Sequence, residues 1–226
     1  MGHRPEKLDD WERVVYSAAI SPDNVELAAA RSRGIPTMER SVLLGLIANS
    51  YPDTVAVCGT HGKTSTTSML TEILLKAGKD PSAVIGGKLA SIGGSGRVGD
   101  SGYMTCEACE FRNTYHTIFP AYALILDVDE DHLEFFGDLS HIIASFAKFA
   151  SQAKKLVLYN ADDPNTVEAV KDVAPAKKCG FGTGETAVFR AVDIAQKGPF
   201  YSYRLLAAGE DAVLEVREGR FLIASA

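Results

Sequence analysis

The stretch Thr54-Val55-Ala56-Val57-Cys58-Gly59-Thr60-His61-Gly62-Lys63-Thr64-Ser65 runs from an apolar segment suited to a buried strand into a glycine-bearing turn and a group of hydroxyl side chains. Beyond it, Met69, Leu70, Ile73 and Leu74 recur at helical spacing and Gly78 is a suitable C-terminal stop. The turn therefore joins a strand to a helix, which is where an α/β fold binds phosphates. Glycines let the backbone bend and approach the ligand, while amide N–H groups and the positive end of the helix dipole face phosphate oxygens. Lys63 adds a point charge and the Thr64 hydroxyl can hold Mg2+. The full phosphate-loop pattern would place another glycine at position 57, where this chain has Val57, so only its second half is met. The competing reading is a glycine-rich turn that binds nothing. It leaves the run Lys63-Thr64-Ser65-Thr66-Thr67, with no apolar residue before Met69, without a packing reason. Residues Gly59, Thr60, His61, Gly62, Lys63, Thr64 and Ser65 are accordingly expected to bind ATP or GTP, with His61 touching phosphate or substrate.

Working outward, the chain alternates strand and helix. Upstream, Val14 to Ile20 reads as a strand, Ser21-Pro22-Asp23-Asn24 starts a helix through Val25, Leu27 and Ala30 that Gly34 closes, and Ser41 to Ala48 reads as a second helix. Downstream, Gly86 to Gly102 is so rich in Gly and Ser that a mobile, irregular loop is expected. Strands are expected at Tyr103–Cys106, Ala123–Val128 and Lys155–Tyr159. A helix from Leu139 to Ala150 carries Leu139, Ile142, Ile143, Phe146 and Phe149 on one face, and another helix follows the Asp-Asp-Pro turn at 162–164. The tail changes character, with short strands at Val188–Ile194, Phe200–Leu206 and Ala212–Val216 separated by glycine-containing turns. The fold class is thus α/β: a mostly parallel sheet flanked by helices, with a small antiparallel element.

Composition sets outer limits. The chain has 226 residues, 46% of them hydrophobic, and a formal net charge of -6. One good core and part of a second can be buried. No dense Lys/Arg cluster appears, which argues against nucleic-acid binding. No apolar run approaches the roughly 18 residues of a membrane span, and no charged, apolar leader follows Met1. A cytoplasmic protein acting on small molecules is expected, with its oligomeric state open. The four cysteines form no regular framework. Cys106-Glu107-Ala108-Cys109 has the spacing of a redox or zinc site, but it occurs once and reads as the end of a strand. Reduced structural thiols are the alternative.

A second chemical cluster, Asp127-Val128-Asp129-Glu130-Asp131-His132-Leu133-Glu134, follows directly on an apolar strand. Ligands of a parallel sheet bind beyond the carboxyl ends of its strands, so these groups should emerge beside the phosphate loop. Hard oxygens and one imidazole suit the Mg2+ of a nucleotide. A calcium loop fails because His132 stands where a glycine is needed. A solvated acidic turn remains the simpler alternative, and His141 is expected on an exposed helix face.

Taken in order, the loop at Gly59 with the segment through Leu70, the Glu107-Ala108-Cys109-Glu110 tetrad, Asp129 to Leu133, and Asn160-Ala161-Asp162-Asp163-Pro164 resemble the Mur ligases. Upstream, Gly2-His3, Val15 to Ile20, Asn24 to Glu26, Gly34 to Pro36 and Glu39-Arg40-Ser41 are similar to the later part of that family's UDP-binding first domain. The resemblance covers the chain to about Gly182 and then thins. It implies that residues 1–50 end a Rossmann-like UDP-binding domain, that 51–226 form the ATP-binding central domain, and that the C-terminal amino-acid-binding domain is absent, so that this polypeptide alone binds Mg-nucleotide weakly and does not ligate. It further implies ATP and Mg2+ as cofactors, Lys63, Glu107 and His132 as catalytic residues, and Thr64, Glu107 and His132 as metal ligands. The His61 of the loop points within the family to the branch that joins L-alanine to the lactyl carboxylate of UDP-N-acetylmuramate through an acyl phosphate. Alternatives are the branch that attaches a recycled peptide, a folylpolyglutamate synthase, or a noncatalytic nucleotide-binding module. Asp127 stands where the family usually has Asn, Glu134 where it usually has Asp, and Thr114-Tyr115-His116 departs from its usual serine-phenylalanine-leucine type segment.

Overall fold

In a computed structural model that describes residues 4–8, 11–198, 200–207 and 210–215, the apolar run at Thr54 lies in the interior of a ten-stranded sheet. Gly2, His3 and Val216, which carry parts of the expectations above, lie outside the described residues. A small parallel pair comes first: β1 (Val14–Tyr16) and β2 (Thr37–Glu39), linked through α1 (Val25–Ser32) and followed by α2 (Arg40–Ser50). Asn24 caps α1 by accepting the amides of Glu26 and Leu27. The strand is shorter than Val14–Ile20 because the Ile20 amide closes a turn onto the Ser17 carbonyl. β2 has no counterpart in the sequence reading, since three residues are too few to show a period.

The large sheet is built from β3 (Asp53–Cys58), β4 (Ser82–Leu89), β5 (Gly94–Arg97), β6 (Tyr103–Glu107), β7 (Tyr122–Ile125), β8 (Leu156–Asn160), β9 (Lys178–Gly182), β10 (Phe189–Lys197), β11 (Phe200–Ala207) and β12 (Glu210–Glu215). Their order across the sheet is β12-β11-β10-β9-β8-β7-β3-β6-β4-β5. Pairing is parallel from β4 through β10. β11 and β12 extend it antiparallel, as the change of character in the tail implies, and β5 adds an antiparallel edge on the other side. β7 stops at Ile125 rather than Val128, because beyond it the chain turns toward the site.

The segment Gly86 to Gly102 departs from the expected mobile, irregular loop. β4 continues through Leu89, and β5 returns along it. Asp80 ties this hairpin down, pairing with Arg97 at 2.6 Å and accepting the Asp100 amide at 2.7 Å. The Asp100 amide and then Arg97 hold the Asp80 carboxyl below its usual range.

Helix α3 (Lys63–Lys76) leads from β3 to β4 and buries a face other than its aliphatic one. Thr67 and Thr71 are fully buried, whereas Ile73 is 63% exposed. The Thr71 hydroxyl contacts that of Thr105 on β6 at 2.7 Å and donates to the Thr67 carbonyl, so the hydroxyls have partners inside. Short α4 (Leu133–Phe136) precedes α5 (Leu139–Ser151), whose Ile142, Phe146 and Phe149 enter the core as the sequence implies. α6 (Pro164–Ala169) follows β8 and is capped by Asp163. Tyr115, 1% exposed, stacks on Phe149 with ring centroids 4.7 Å apart and meets Phe146 edge-on. The departing segment Thr114-Tyr115-His116 thus places a core anchor where it differs from the family pattern. Among the described residues no helix is long and apolar enough to cross a membrane.

Candidate functional site

The site forms where β3, β6 and β7 end. Their parallel pairing delivers Gly59, Ala108 and Leu126 to one edge, fastened by the Ala108 amide on the Val57 carbonyl at 2.8 Å and the Leu126 amide on the Cys58 carbonyl at 3.0 Å. Gly59 and Gly62 both have positive φ, 147° and 79°. A Cβ on Gly59 would lie 2.7 Å from the Asp127 carboxylate, so glycine is required for contact as well as for conformation. No side chain caps α3. Its first-turn amides have no intrahelical acceptor and carry the positive end of the helix dipole, which favours an anion there.

Asp127 secures the loop. Its carboxylate accepts the His61 amide at 2.9 Å and its carbonyl accepts the Thr60 amide at 3.1 Å. The Thr60 hydroxyl accepts the Asp129 amide at 2.9 Å. From the opposite side, Asp163 accepts the Val128 amide at 2.8 Å and Asn165 donates to the Val128 carbonyl at 2.7 Å. The Asp-Asp-Pro turn therefore braces the acidic segment, whose Asp129 in turn braces the phosphate loop. Asp162 accepts the amides of Thr183 and Gly184, and these with the Thr183 hydroxyl lower its pKa.

Lys63 lies inside the loop. Its ammonium donates to the carbonyls of Gly59 and Thr60 and to Glu110 Oε1, the last at 3.0 Å. The Glu110 side chain is 4% exposed and its Oε2 is buried without a hydrogen-bond partner among the described residues. Beside this pair, Thr64 donates to Glu107 Oε2 at 3.1 Å, and the Gly86 amide donates to Glu107 Oε1. A Cβ on Gly86 would lie 2.7 Å from Glu107 Oε2, which explains a glycine in the middle of β4.

His132, at a positive φ of 51°, has Nδ1 3.6 Å from Glu134 and Nε2 3.7 Å from Asp131. The Phe111 ring lies against it, with centroids 4.7 Å apart. One donor atom from each of Glu110, Asp131 and His132 lies within 4.8 Å of the others. The expected metal residues are thus divided: Thr64 and Glu107 touch each other, while His132 groups with Glu110 and Asp131. Lys63 and Glu110 connect the two sets. Three carboxylates, a hydroxyl and an imidazole make a donor set suited to Mg2+, and the unpartnered Oε2 of Glu110 is a lone pair such an ion would satisfy.

Glu110 and Arg40 carry more of the site than their sequence positions announce. A cleft of about 220 Å³ is lined by Arg40, Ser41, Lys63, Gly86, Glu107 and Thr114, among others. Arg40 opens α2, well before the loop in sequence, and the packing of α2 on 111–117 brings it there. The signal for Glu110 was its place in the tetrad. His61 is exposed, and His141 is exposed on α5 as expected. Cys106 is fully buried and burial, followed by the nearby Glu107, pushes its thiol up to about 12; burial also raises Cys109. Neither favours the thiolate that redox or zinc chemistry needs.

Residues 57–218 match the Mur ligase middle domain, and residues 1–52 match the Mur ligase family catalytic-domain description. UDP-N-acetylmuramate–L-alanine ligase from Acetivibrio thermocellus is 46% identical over 174 residues, covering 76% of this chain and 37% of that protein. The chain therefore spans well under half the length of this curated relative. Among solved structures, UDP-N-acetylmuramate-alanine ligase from Thermotoga maritima superposes with a TM-score of 0.77 at 24% identity, covering 95% of this chain and 48% of that one. The UDP-N-acetylmuramate:L-alanyl-gamma-D-glutamyl-meso-diaminopimelate ligase from Neisseria meningitides gives 0.75 at 22% identity, covering 89% and 67%. At these identities the two structures establish the fold.

Proposed function

The chain belongs to the Mur ligase family, and from that membership we propose that its loop 59–65 binds the phosphates of ATP for an amide-forming ligation that joins L-alanine to UDP-N-acetylmuramate. The observation that carries this reading is the contact of Thr64 with Glu107 beside Lys63, at the mouth of an uncapped helix. The 46% identical relative supports the choice of substrates. Residues 1–50 would belong to the nucleotide-sugar-binding unit and 51–226 to the ATP-binding unit, in a cytoplasmic enzyme.

In the proposed reaction the lactyl carboxylate attacks the γ-phosphorus of ATP, giving an acyl phosphate and ADP. The amine of L-alanine then attacks the acyl carbon, and inorganic phosphate leaves as the amide forms and the amine proton is lost. Both steps bring anions together, so fixed positive charge is what the site must supply. The first-turn amides of α3 and the Lys63 ammonium would hold the phosphates, with Lys63 turning from the loop carbonyls toward the γ-phosphate. Arg40 lines the cleft beside Lys63 and would orient the carboxylate. Bound Mg2+ would neutralise phosphate charge, held by Thr64 and Glu107, with His132 near a second ion. His61 would face the phosphates from the loop.

Titration with a fluorescent ATP analogue in excess Mg2+ tests this. Saturable binding is expected, weakened at least about tenfold by Lys63→Ala, as for loss of a charged hydrogen bond. Equal affinity of a folded Lys63→Ala variant would instead indicate a module that does not use the loop.

A further inference from the structure

The position of Glu110 raises a problem that Lys63 alone does not solve. An ammonium has three N–H donors. Those of Lys63 meet three acceptors, Gly59 O, Thr60 O and Glu110 Oε1. In this arrangement the lysine is saturated, and it reaches a phosphate only by giving up some of these bonds. Leaving Glu110 strands a carboxylate on a residue that is 3% exposed, with one oxygen already unpartnered. A buried charge without a counter-charge is strongly unfavourable, so another cation has to arrive as the ammonium departs.

The surroundings of Glu110 show which cation. Asp131 and His132 present donor atoms within 4.8 Å of Glu110 and of each other. With bonds of about 2.1 Å, opposite ligands of an octahedral Mg2+ stand about 4.2 Å apart and adjacent ones about 3.0 Å, so the three side chains have to draw in by up to about 2 Å to close on an ion. Glu134 lies 3.6 Å from His132 Nδ1, on the ring nitrogen away from the one nearest Asp131, as carboxylates behind metal-bound imidazoles do. A second carboxylate beside Glu110 repels it without an ion and shares an ion with it.

We propose that Glu110 is an exchange ligand, paired with Lys63 when nucleotide is absent and taken over by a divalent cation shared with Asp131 and His132 when Mg-nucleotide binds. Metal arrival and lysine release are then one event. The inference rests on the loop being the ATP site. Its consequence is linkage: Glu110 opposes binding of metal-free nucleotide by retaining Lys63, and strengthens the response to metal.

The test is titration of the chain with mant-ATP in EDTA and in excess MgCl2, for wild type, Glu110→Gln and Asp131→Asn. Glu110→Gln is expected to bind metal-free mant-ATP about tenfold tighter, the worth of one charge-assisted hydrogen bond released, and to lose most of the enhancement by Mg2+. Asp131→Asn keeps the Lys63 pair and is expected to lose enhancement without the metal-free gain, so it reads the linkage even where Glu110→Gln folds poorly. Manganese titration followed by electron paramagnetic resonance should show weakened ion binding in both variants. A Glu110→Gln variant weakened equally in EDTA and Mg2+, or unchanged in both, reduces Glu110 to a structural partner of Lys63 and overturns the proposal. Undiminished enhancement in Asp131→Asn overturns it as well. If wild type binds mant-ATP in neither condition, the nucleotide reading and this inference fall together, whereas binding with wild-type behaviour in the variants removes the inference alone.

Discussion

Lys63 and Glu110 form an ion pair at 3.0 Å beneath the phosphate loop. With side chains 17% and 4% exposed, neither charge is well hydrated without the other. Removing one partner of a buried pair costs about 3–5 kcal/mol, chiefly from the charge left behind. Lys63→Ala should therefore lower the unfolding free energy in urea by about 3 kcal/mol, and adding Glu110→Gln should recover most of the loss. Equal instability of the single and double variants would contradict the pairing. His116 gives a pH signature. Burial, which outweighs its hydrogen bond with the Ser145 carbonyl, depresses its pKa below 6.5. The folded state prefers the neutral ring, so this contribution is complete above the unfolded value and is lost as pH falls through the folded one. Urea midpoints should drop between about pH 7 and about pH 5, and His116→Gln should flatten that slope; parallel slopes in both proteins would exclude it. At this scale the loop residues were legible because glycine, lysine and hydroxyls in that order have few other uses. The partnership of Glu110 with Lys63 was not, since it depends on the backbone turning back after β6.

The elements are held by polar contacts that periodicity does not reveal. Helix α2 sits on the segment Phe111–Thr117 through Asn49, whose side chain donates to the Thr117 carbonyl at 3.0 Å and accepts the Phe119 amide at 2.7 Å. The Thr117 hydroxyl returns a bond to the Ser41 carbonyl at 2.9 Å. This seam carries Arg40 to the cleft. Asn49→Ala should cost about 1 kcal/mol by removing two side-chain–backbone hydrogen bonds, and should weaken binding of the proposed substrate UDP-N-acetylmuramate more than that of Mg-ATP. An equal effect on both ligands would show that the seam does not position Arg40. Helix α5 was readable from its apolar stripe, which it buries. Helix α3 was misleading, because threonines packed against β6 take the inner face and leave Ile73 outside. β4 was hidden by Gly86 and Gly87, which read as loop and instead give Glu107 and Thr64 room.

Across the whole molecule, the parallel sheet brings together groups that are far apart in sequence. The ends of β3, β6 and β7 carry the phosphate loop, the Glu107–Glu110 tetrad and the acidic segment in turn, and side-by-side pairing makes them one site. Alternation of strand and helix made the parallel core legible, and the change in the tail did the same for its antiparallel extension. The antiparallel edge at β5 and strand β9 were not legible, because short, glycine-containing strands carry little pattern. In the proposed site, loop 59–65 cradles a triphosphate whose metal lies on Thr64 and Glu107. The most direct test of this placement is a crystal structure of the chain with a nonhydrolysable ATP analogue and Mn2+, using anomalous scattering to find the ion. A manganese peak is expected within about 2.3 Å of both Thr64 Oγ1 and a Glu107 carboxylate oxygen, with the phosphates over the first turn of α3. Phosphates bound away from Gly59–Ser65, or manganese remote from Thr64 and Glu107, would contradict it.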